Sequence, residues 1–251
     1  MENKIPKIIH YCWFGKKPLP KLAQKCIKSW QKYCPDYQII RWDETNFDIN
    51  SNLYVKQAYE AKKYAFVSDY VRLWALYNYG GIYMDTDVEL IKNLDSFLDK
   101  QAFIGFQSNY KLNLDLATLN SGLIGAQKGN KFIKGILNLY NSLTFVNNGN
   151  LDLTTNTARI TEYAIRKYNL IPKDIFQDLE SIVIYPSEYF SPGNYYFLNL
   201  TNNTYAIHYY VASWLSWKQK LKRKISFAGI RLLGFKGYNT IKDKIRNILK
   251  L

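Results

Sequence analysis

Residues 64–89 constrain this chain more than any other stretch. An almost uncharged run, YAFVSDYVRLWALYNY, ends in Gly80-Gly81, and Ile82-Tyr83-Met84 then leads straight into Asp85-Thr86-Asp87. Paired glycines are a helix stop signal, so the run predicts a long helix from about Val55 to Tyr79. The apolar triplet behind them reads as a short strand. Two carboxylates at i and i+2, just past its carboxyl end, can be directed to one side. In an open α/β sheet that is where ligands bind. Hard divalent cations such as Mn²⁺ or Mg²⁺ take one or two carboxylates together with substrate phosphates. An Asp pair alone says little, because surface pairs are common. Its position directly behind a buried strand is what carries weight.

The helix adds a second pair. From Tyr64 to Tyr79 the charged residues are Asp69 and Arg72, at i and i+3 on an otherwise apolar helix. Buried charges are costly unless paired or used. The pair is therefore either an ion pair that orients the helix or a clamp on a sugar. In a clamp the carboxylate accepts from hydroxyls and the guanidinium donates to them.

Around this centre the pattern is α/β. KIIHYCWF (7–14) reads as a buried strand, 20–34 as a helix and QIIRW (38–42) as a second strand. Strand, helix and strand in so short a span make a βαβ unit and imply a parallel sheet. Further strands are expected at 102–106, 122–126, 181–186 and 204–210, and helices at 130–143 and 159–169, with a polar loop over 146–156. At 251 residues this fits one α/β domain able to bury a real core. The 22 Tyr and 6 Trp are numerous enough to suit either a Tyr-rich core or a site that stacks rings and sugars.

Cys12, Cys26 and Cys34 are an odd, low count with the wrong spacing for zinc, and read as free thiols of a reducing compartment. No apolar run reaches the length of a membrane span, and the first residues lack the charged start and long apolar stretch of a secretory signal. The expected location is the cytoplasm.

The net charge of +14 is unevenly spread. Residues 217–251 hold eleven Lys or Arg against Asp243 alone, a net +10 that leaves +4 for residues 1–216. The expected organisation is a catalytic body, 1–216, and a basic helical tail, 217–251. In the tail Ile241, Ile245 and Ile248 form an apolar stripe flanked by Lys242, Lys244, Arg246 and Lys250. That pattern suits either a solvated helix docked on the body or a partner, or an interfacial helix peripheral to an anionic inner membrane face. Each basic residue near such a surface contributes about 1 kcal/mol. Confinement of the charge to the tail, beside an acidic pair in the body, speaks against a nucleic-acid or polyanion binder.

The run YAFVSDYVRLWALYNYGGIYMDTDVE resembles the signature of glycosyltransferase family 32, the capsular-polysaccharide and mannosyltransferase-like sugar transferases, which are distantly similar to the glucosyltransferase domains of large clostridial toxins. KIPKIIHYCWFG matches the family's opening and AIHYYVASW (206–214) its late motif, so the likeness covers about residues 5 to 217. It implies a GT-A fold with a mostly parallel sheet and retention of anomeric configuration. It also implies a Mn²⁺- or Mg²⁺-bound nucleotide-sugar donor, a UDP-hexose such as UDP-galactose first and GDP-mannose second. The acceptor would be a glycan, lipid-linked where the tail meets a membrane. A protein-modifying enzyme of toxin type would need acceptor-recognition regions for which this length leaves no room.

Carried over by position, the resemblance makes Trp13 a stacking wall for the base, Asp69 and Arg72 holders of the donor sugar, and Tyr83 a nucleotide contact. Asp85 and Asp87 take ribose and metal, Asp87 more directly, and His208 contacts the metal. Ser213 and Trp214 close over the diphosphate, and Asn120 faces the sugar or acceptor. Each has a plainer alternative in the residues themselves. Trp13 and His208 can be core residues, Asn120 a turn former before Ser121-Gly122, and Trp214 packing for the tail. Thr154-Thr155-Asn156-Thr157 departs from the Thr-Gly-Pro turn of many relatives, so nothing is carried over for the acceptor loop. With no second acid placed beneath the sugar, same-face attack by the acceptor is favoured over a covalent intermediate.

Overall fold

The computed structural model describes residues 4–107, 117–194 and 197–211, together with scattered positions between 221 and 241. The predicted βαβ unit is there: β1 (Ile8–Cys12), α1 (Lys21–Tyr33) and β2 (Gln38–Trp42), with β1 and β2 parallel and Ile9 opposite Ile39. The single helix expected over 55–79 is two. α2 (Leu53–Glu60) is capped by Asn52, whose side chain accepts from the Val55 N–H, and α3 spans Tyr64–Tyr79. Between them Lys62 takes a left-handed backbone (φ 56°) and Lys63 N–H returns to Ala58 O at 2.8 Å. Neither Gly nor Pro marks this break, and the apolar spacing runs through it.

α3 ends at Gly80 (φ 68°), whose N–H bonds Leu76 O, and β3 (Gly81–Met84) starts at once. A Cβ on Gly80 would lie 2.7 Å from Lys128 N, so only glycine turns the chain here. After β3 come β4 (Val88–Leu90), β5 (Ala102–Gln107), β6 (Thr118–Ala126), α4 (Lys131–Tyr140), a hairpin of β7 (Val146–Asn147) and β8 (Asn150–Leu151), and α5 (Asn156–Tyr168). The chain continues through β9 (Gln177–Leu179), β10 (Ile182–Tyr185), α6 (Ser187–Phe190), β11 (Gly193–Asn194), β12 (Phe197–Leu198) and β13 (Ala206–His208).

Seven strands form one sheet in the order β2-β1-β3-β6-β5-β10-β9. β1, β2, β3, β5 and β10 run one way, while β6 is antiparallel to both its neighbours and β9 antiparallel to β10. The sheet is thus mostly parallel by direction, with β6 reversed in its middle. Helices cover both faces, which is why its strands read as nearly continuous apolar runs. On β3 the alternation separates the two cores: Ile82 and Met84 pack with Ile9, Cys26 and Trp30, and Tyr83 packs on the other face with Val71, Leu73 and Ile104. The segment 204–210 does not extend the sheet. Only β13 forms, and it pairs antiparallel with β4 in a separate ribbon that puts His208 opposite Val88.

β1 has β2 on one side and β3 on the other, so the connection from β1 to β2 runs one way across the sheet and the one from β2 to β3 runs back past β1. The carboxyl ends of β1 and β3 therefore border a topological switch point. All three cysteines are buried and free. Residues 1–211 form one compact unit and 212–251 another. In the second, the described positions, such as Leu221, Ile225 and Ile241, are helical. Ser213 and Trp214 lie outside the described residues.

Candidate active site at the end of β3

Asp85 leaves β3 with its N–H on Gly122 O (2.8 Å), and its own carbonyl takes Val88 N–H (2.9 Å), which closes a tight turn that brings Asp87 back beside it. Asp87 is met by the end of the β13 ribbon. Tyr209 N–H bonds its carbonyl, Val211 N–H bonds its Oδ2 (2.8 Å), and His208 Nε2 lies 3.2 Å from its Oδ1. Asp85, Asp87 and His208 thus offer one ligand atom each, all within 4.8 Å of one another. Burial works against charge on Asp87, yet His208 and the Val211 N–H hold its carboxyl below the usual range. The same proximity raises His208 in spite of burial. Two anionic oxygens and one imidazole nitrogen, at the surface end of a strand pair, are a donor set that fits a divalent cation of the Mn²⁺ or Mg²⁺ type.

Arg72 ties this corner to α3. It is only 4% exposed, and all three of its nitrogens have partners within the protein. Nε donates to Ser68 O at 3.2 Å, and Nη1 to Ser121 O at 2.6 Å and Ser121 Oγ at 3.1 Å. Nη2 reaches Asp69 Oδ1 at 2.9 Å and Asp85 Oδ1 at 3.4 Å. Its guanidinium also lies over the Tyr83 ring, 4.6 Å from the centroid, and Tyr83 OH donates to Asp85 Oδ1 at 2.8 Å. A buried guanidinium that is paired with carboxylates and hydrogen-bonded to backbone carbonyls is stable where a bare one would not be.

Arg72 thus pairs with Asp69 and Asp85 and holds both carboxylates in place. Tyr83, 1% exposed, has its side chain inside the core with its hydroxyl on Asp85. Asp69 is different. Its side chain keeps some exposure, and burial, only partly offset by Arg72, pushes its carboxyl up to about 6.

Other expected residues also find places. Trp13 follows β1 at the switch point, half-buried, with its indole N–H on Lys17 O at 2.5 Å. Asn120, on β6, does not stand at a turn. Its Oδ1 accepts from Gly122 N–H at 2.9 Å and lies 3.2 Å from His208 Nδ1, while its Nδ2 is buried without a partner among the described residues. His10 sits away from the cluster, with Trp42 Nε1 on its Nδ1 (3.1 Å) and Gly80 O on its Nε2 (2.7 Å), a structural role. Sequence reasoning missed Gly122, Tyr210 and the Val211 N–H. A Cβ at 122 would come within 2.5 Å of His208 Cε1. Tyr210 stacks on the His208 ring at 4.0 Å and 22°. Only the repeated glycines of NSGLIGA hinted at the close approach.

Residues 20–104, which include both aspartates, match the family described as the glycosyltransferase sugar-binding region containing the DXD motif. The chain is 30% identical over 113 residues to inositol phosphoceramide mannosyltransferase 1 of Schizosaccharomyces pombe, covering 41% of this chain and 34% of that protein. With mannosyltransferase 3 of the same organism it shares 29% over 137 residues, 51% of this chain and 35% of the other. It therefore spans about a third of the length of these curated relatives. Among solved structures, the PaToxG glycosyltransferase superposes with a TM-score of 0.50 at 20% identity, over 65% of this chain and 70% of that one. The likeness extends to the fold, which is that of the GT-A glycosyltransferases.

Proposed function

We propose that this protein is a metal-dependent glycosyltransferase that moves a hexose from a nucleotide-sugar to a glycan acceptor of a surface polysaccharide, with retention of configuration. The observation that carries the reading is the Asp85–Asp87–His208 cluster at the switch point, whose two aspartates lie in the matched DXD region. Asp85, Asp87 and His208 would hold Mn²⁺ or Mg²⁺, which supplies positive charge where the departing diphosphate gains negative charge.

The chain's own groups set up the rest. Arg72 and Tyr83 converge on Asp85 Oδ1 and keep that carboxylate aimed. Asp69 accepts hydrogen bonds from donor-sugar hydroxyls, with Arg72 fixing its rotamer. The unpartnered Asn120 Nδ2 donates to an oxygen of the bound donor, since an orphaned buried N–H is costly until it finds one. Trp13 offers a ring face for the base at the end of β1. Attack from the leaving-group face, with the diphosphate oxygens taking the acceptor's proton, accounts for retention without a carboxylate nucleophile.

UDP-galactose or another UDP-hexose is the first donor. The naming of both curated relatives as mannosyltransferases makes GDP-mannose the second. Their inositol phosphoceramide substrate also supports a lipid-linked acceptor. The tail then carries the enzyme to an anionic membrane on the cytoplasmic side. Its basic residues and the exposed Leu221, Ile225 and Ile241 support that attachment. No helix among the described residues is long and apolar enough to cross a membrane. A panel of UDP- and GDP-hexoses tested for Mn²⁺-dependent hydrolysis identifies the donor. Turnover of one member is expected, and turnover of none would overturn the reading.

A further inference from the structure

His208 can meet the cation site in two neutral forms, and only one of them has a lone pair to give. Asp87 Oδ1 lies 3.2 Å from Nε2 and by itself favours hydrogen on that nitrogen, which would close the site to a metal. The other side of the ring opposes this. Asn120 Oδ1 accepts the Gly122 N–H at 2.9 Å, so the end of the amide facing Gly122 is the oxygen; the NH₂ end there would set donor against donor. His208 Nδ1 lies 3.2 Å from the same oxygen and must bring a hydrogen to it.

The ring has little freedom to escape this arrangement. Gly122 leaves no Cβ where one would stand 2.8 Å from Nδ1, and Tyr210 stacks on the ring with its hydroxyl tied to Ser191. We infer that Asn120 is a positioning residue that keeps His208 in its Nδ1–H form and so presents the Nε2 lone pair to the cation held with Asp85 and Asp87. The inference rests on the metal site proposed above.

The chain contains its own control. His10, the other histidine, accepts the Trp42 indole N–H at Nδ1 and must donate from Nε2 to Gly80 O, the opposite form. In ¹⁵N-histidine spectra of the metal-free full-length protein, taken at a pH at which both rings are neutral, they should therefore show opposite protonation patterns. Asn120→Leu should convert His208 to the Nε2–H form and leave His10 unchanged. Mn²⁺ affinity, read from the free-ion EPR signal at a fixed pH, should fall about 10–100-fold in Asn120→Leu, the usual effect of losing a partner behind a ligating imidazole. Asn120→Asp keeps the acceptor oxygen and should bind within a few-fold of wild type. In a His208→Ala background Asn120→Leu should change nothing further. An Nε2–H His208 in the wild type, or undiminished Mn²⁺ binding by Asn120→Leu, would overturn the inference. A wild-type protein with the Nδ1–H ring but no Mn²⁺ binding would instead overturn the metal site on which it rests.

Discussion

Asp69 shows at the level of one residue how this site trades stability for use. Its carboxyl is pushed to about 6 from an ordinary 3.8, so the folded protein holds that proton more tightly than the unfolded chain. The stabilisation is therefore complete below about pH 4 and is lost as pH rises through about 6, a difference of at most ~3 kcal/mol by linkage. Urea denaturation between pH 4 and 6 should show wild-type stability falling with pH, and Asp69→Asn should remove that part of the slope while abolishing donor turnover. An unchanged slope would mean that Asp69 is ionised throughout.

Much of this cluster could be read from the sequence. Two acids behind Gly-Gly-Ile-Tyr-Met, and a lone Asp–Arg pair on an apolar helix, advertise themselves because charge in such surroundings needs a reason. What could not be read was who satisfies whom. Arg72 could be read either as an ion-pair partner of Asp69 or as a clamp on a sugar. It is engaged by Ser68, Ser121, Asp69 and Asp85, and Ser121 on β6 and Asp85 just past β3 are partners that only the folded sheet brings near. Asn120 and His208, 88 positions apart, carry no local sign of their contact.

Between elements, the decisive joint is α3 to β3. Gly80 at φ 68° and Gly81 at φ 107° turn the helix directly into the strand that delivers Asp85. A side chain on Gly80 would meet the Lys128 backbone at 2.7 Å and Pro6 Cδ at 2.9 Å, on top of the cost of a left-handed backbone. Gly80→Ala should cost at least about 2 kcal/mol in chemical denaturation. A loss below ~0.5 kcal/mol would show that the turn does not depend on glycine. Helix and strand identities were largely legible because apolar spacing differs between them. The reversed direction of β6, and the short ribbon of β13 with β4, were not, since pairing partners are set by tertiary contacts that a strand's own residues do not encode. The gap between α2 and α3 was hidden for a related reason. Lys62 adopts a left-handed backbone that no Gly or Asn signalled.

For the whole molecule, charge is divided between a near-neutral body and a basic C-terminal segment. If that segment meets an anionic bilayer, Glu at Lys242, Lys244, Arg246 and Lys250 should abolish co-sedimentation with phosphatidylserine vesicles while leaving donor hydrolysis in solution unchanged. Each lysine or arginine is worth about 1 kcal/mol at the surface, so four reversals suffice. Equal binding of the variant would confine the tail to protein contacts.

The central claim is that Asp85, Asp87 and His208 seat a divalent ion beneath a nucleoside diphosphate. Thermal shift of the full chain with UDP or GDP, with and without Mn²⁺, tests it most directly. The expected result is a rise in melting temperature that needs nucleotide and Mn²⁺ together and disappears in Asp87→Ala. A nucleotide shift that is indifferent to Mn²⁺, or one that survives in Asp87→Ala, would contradict it.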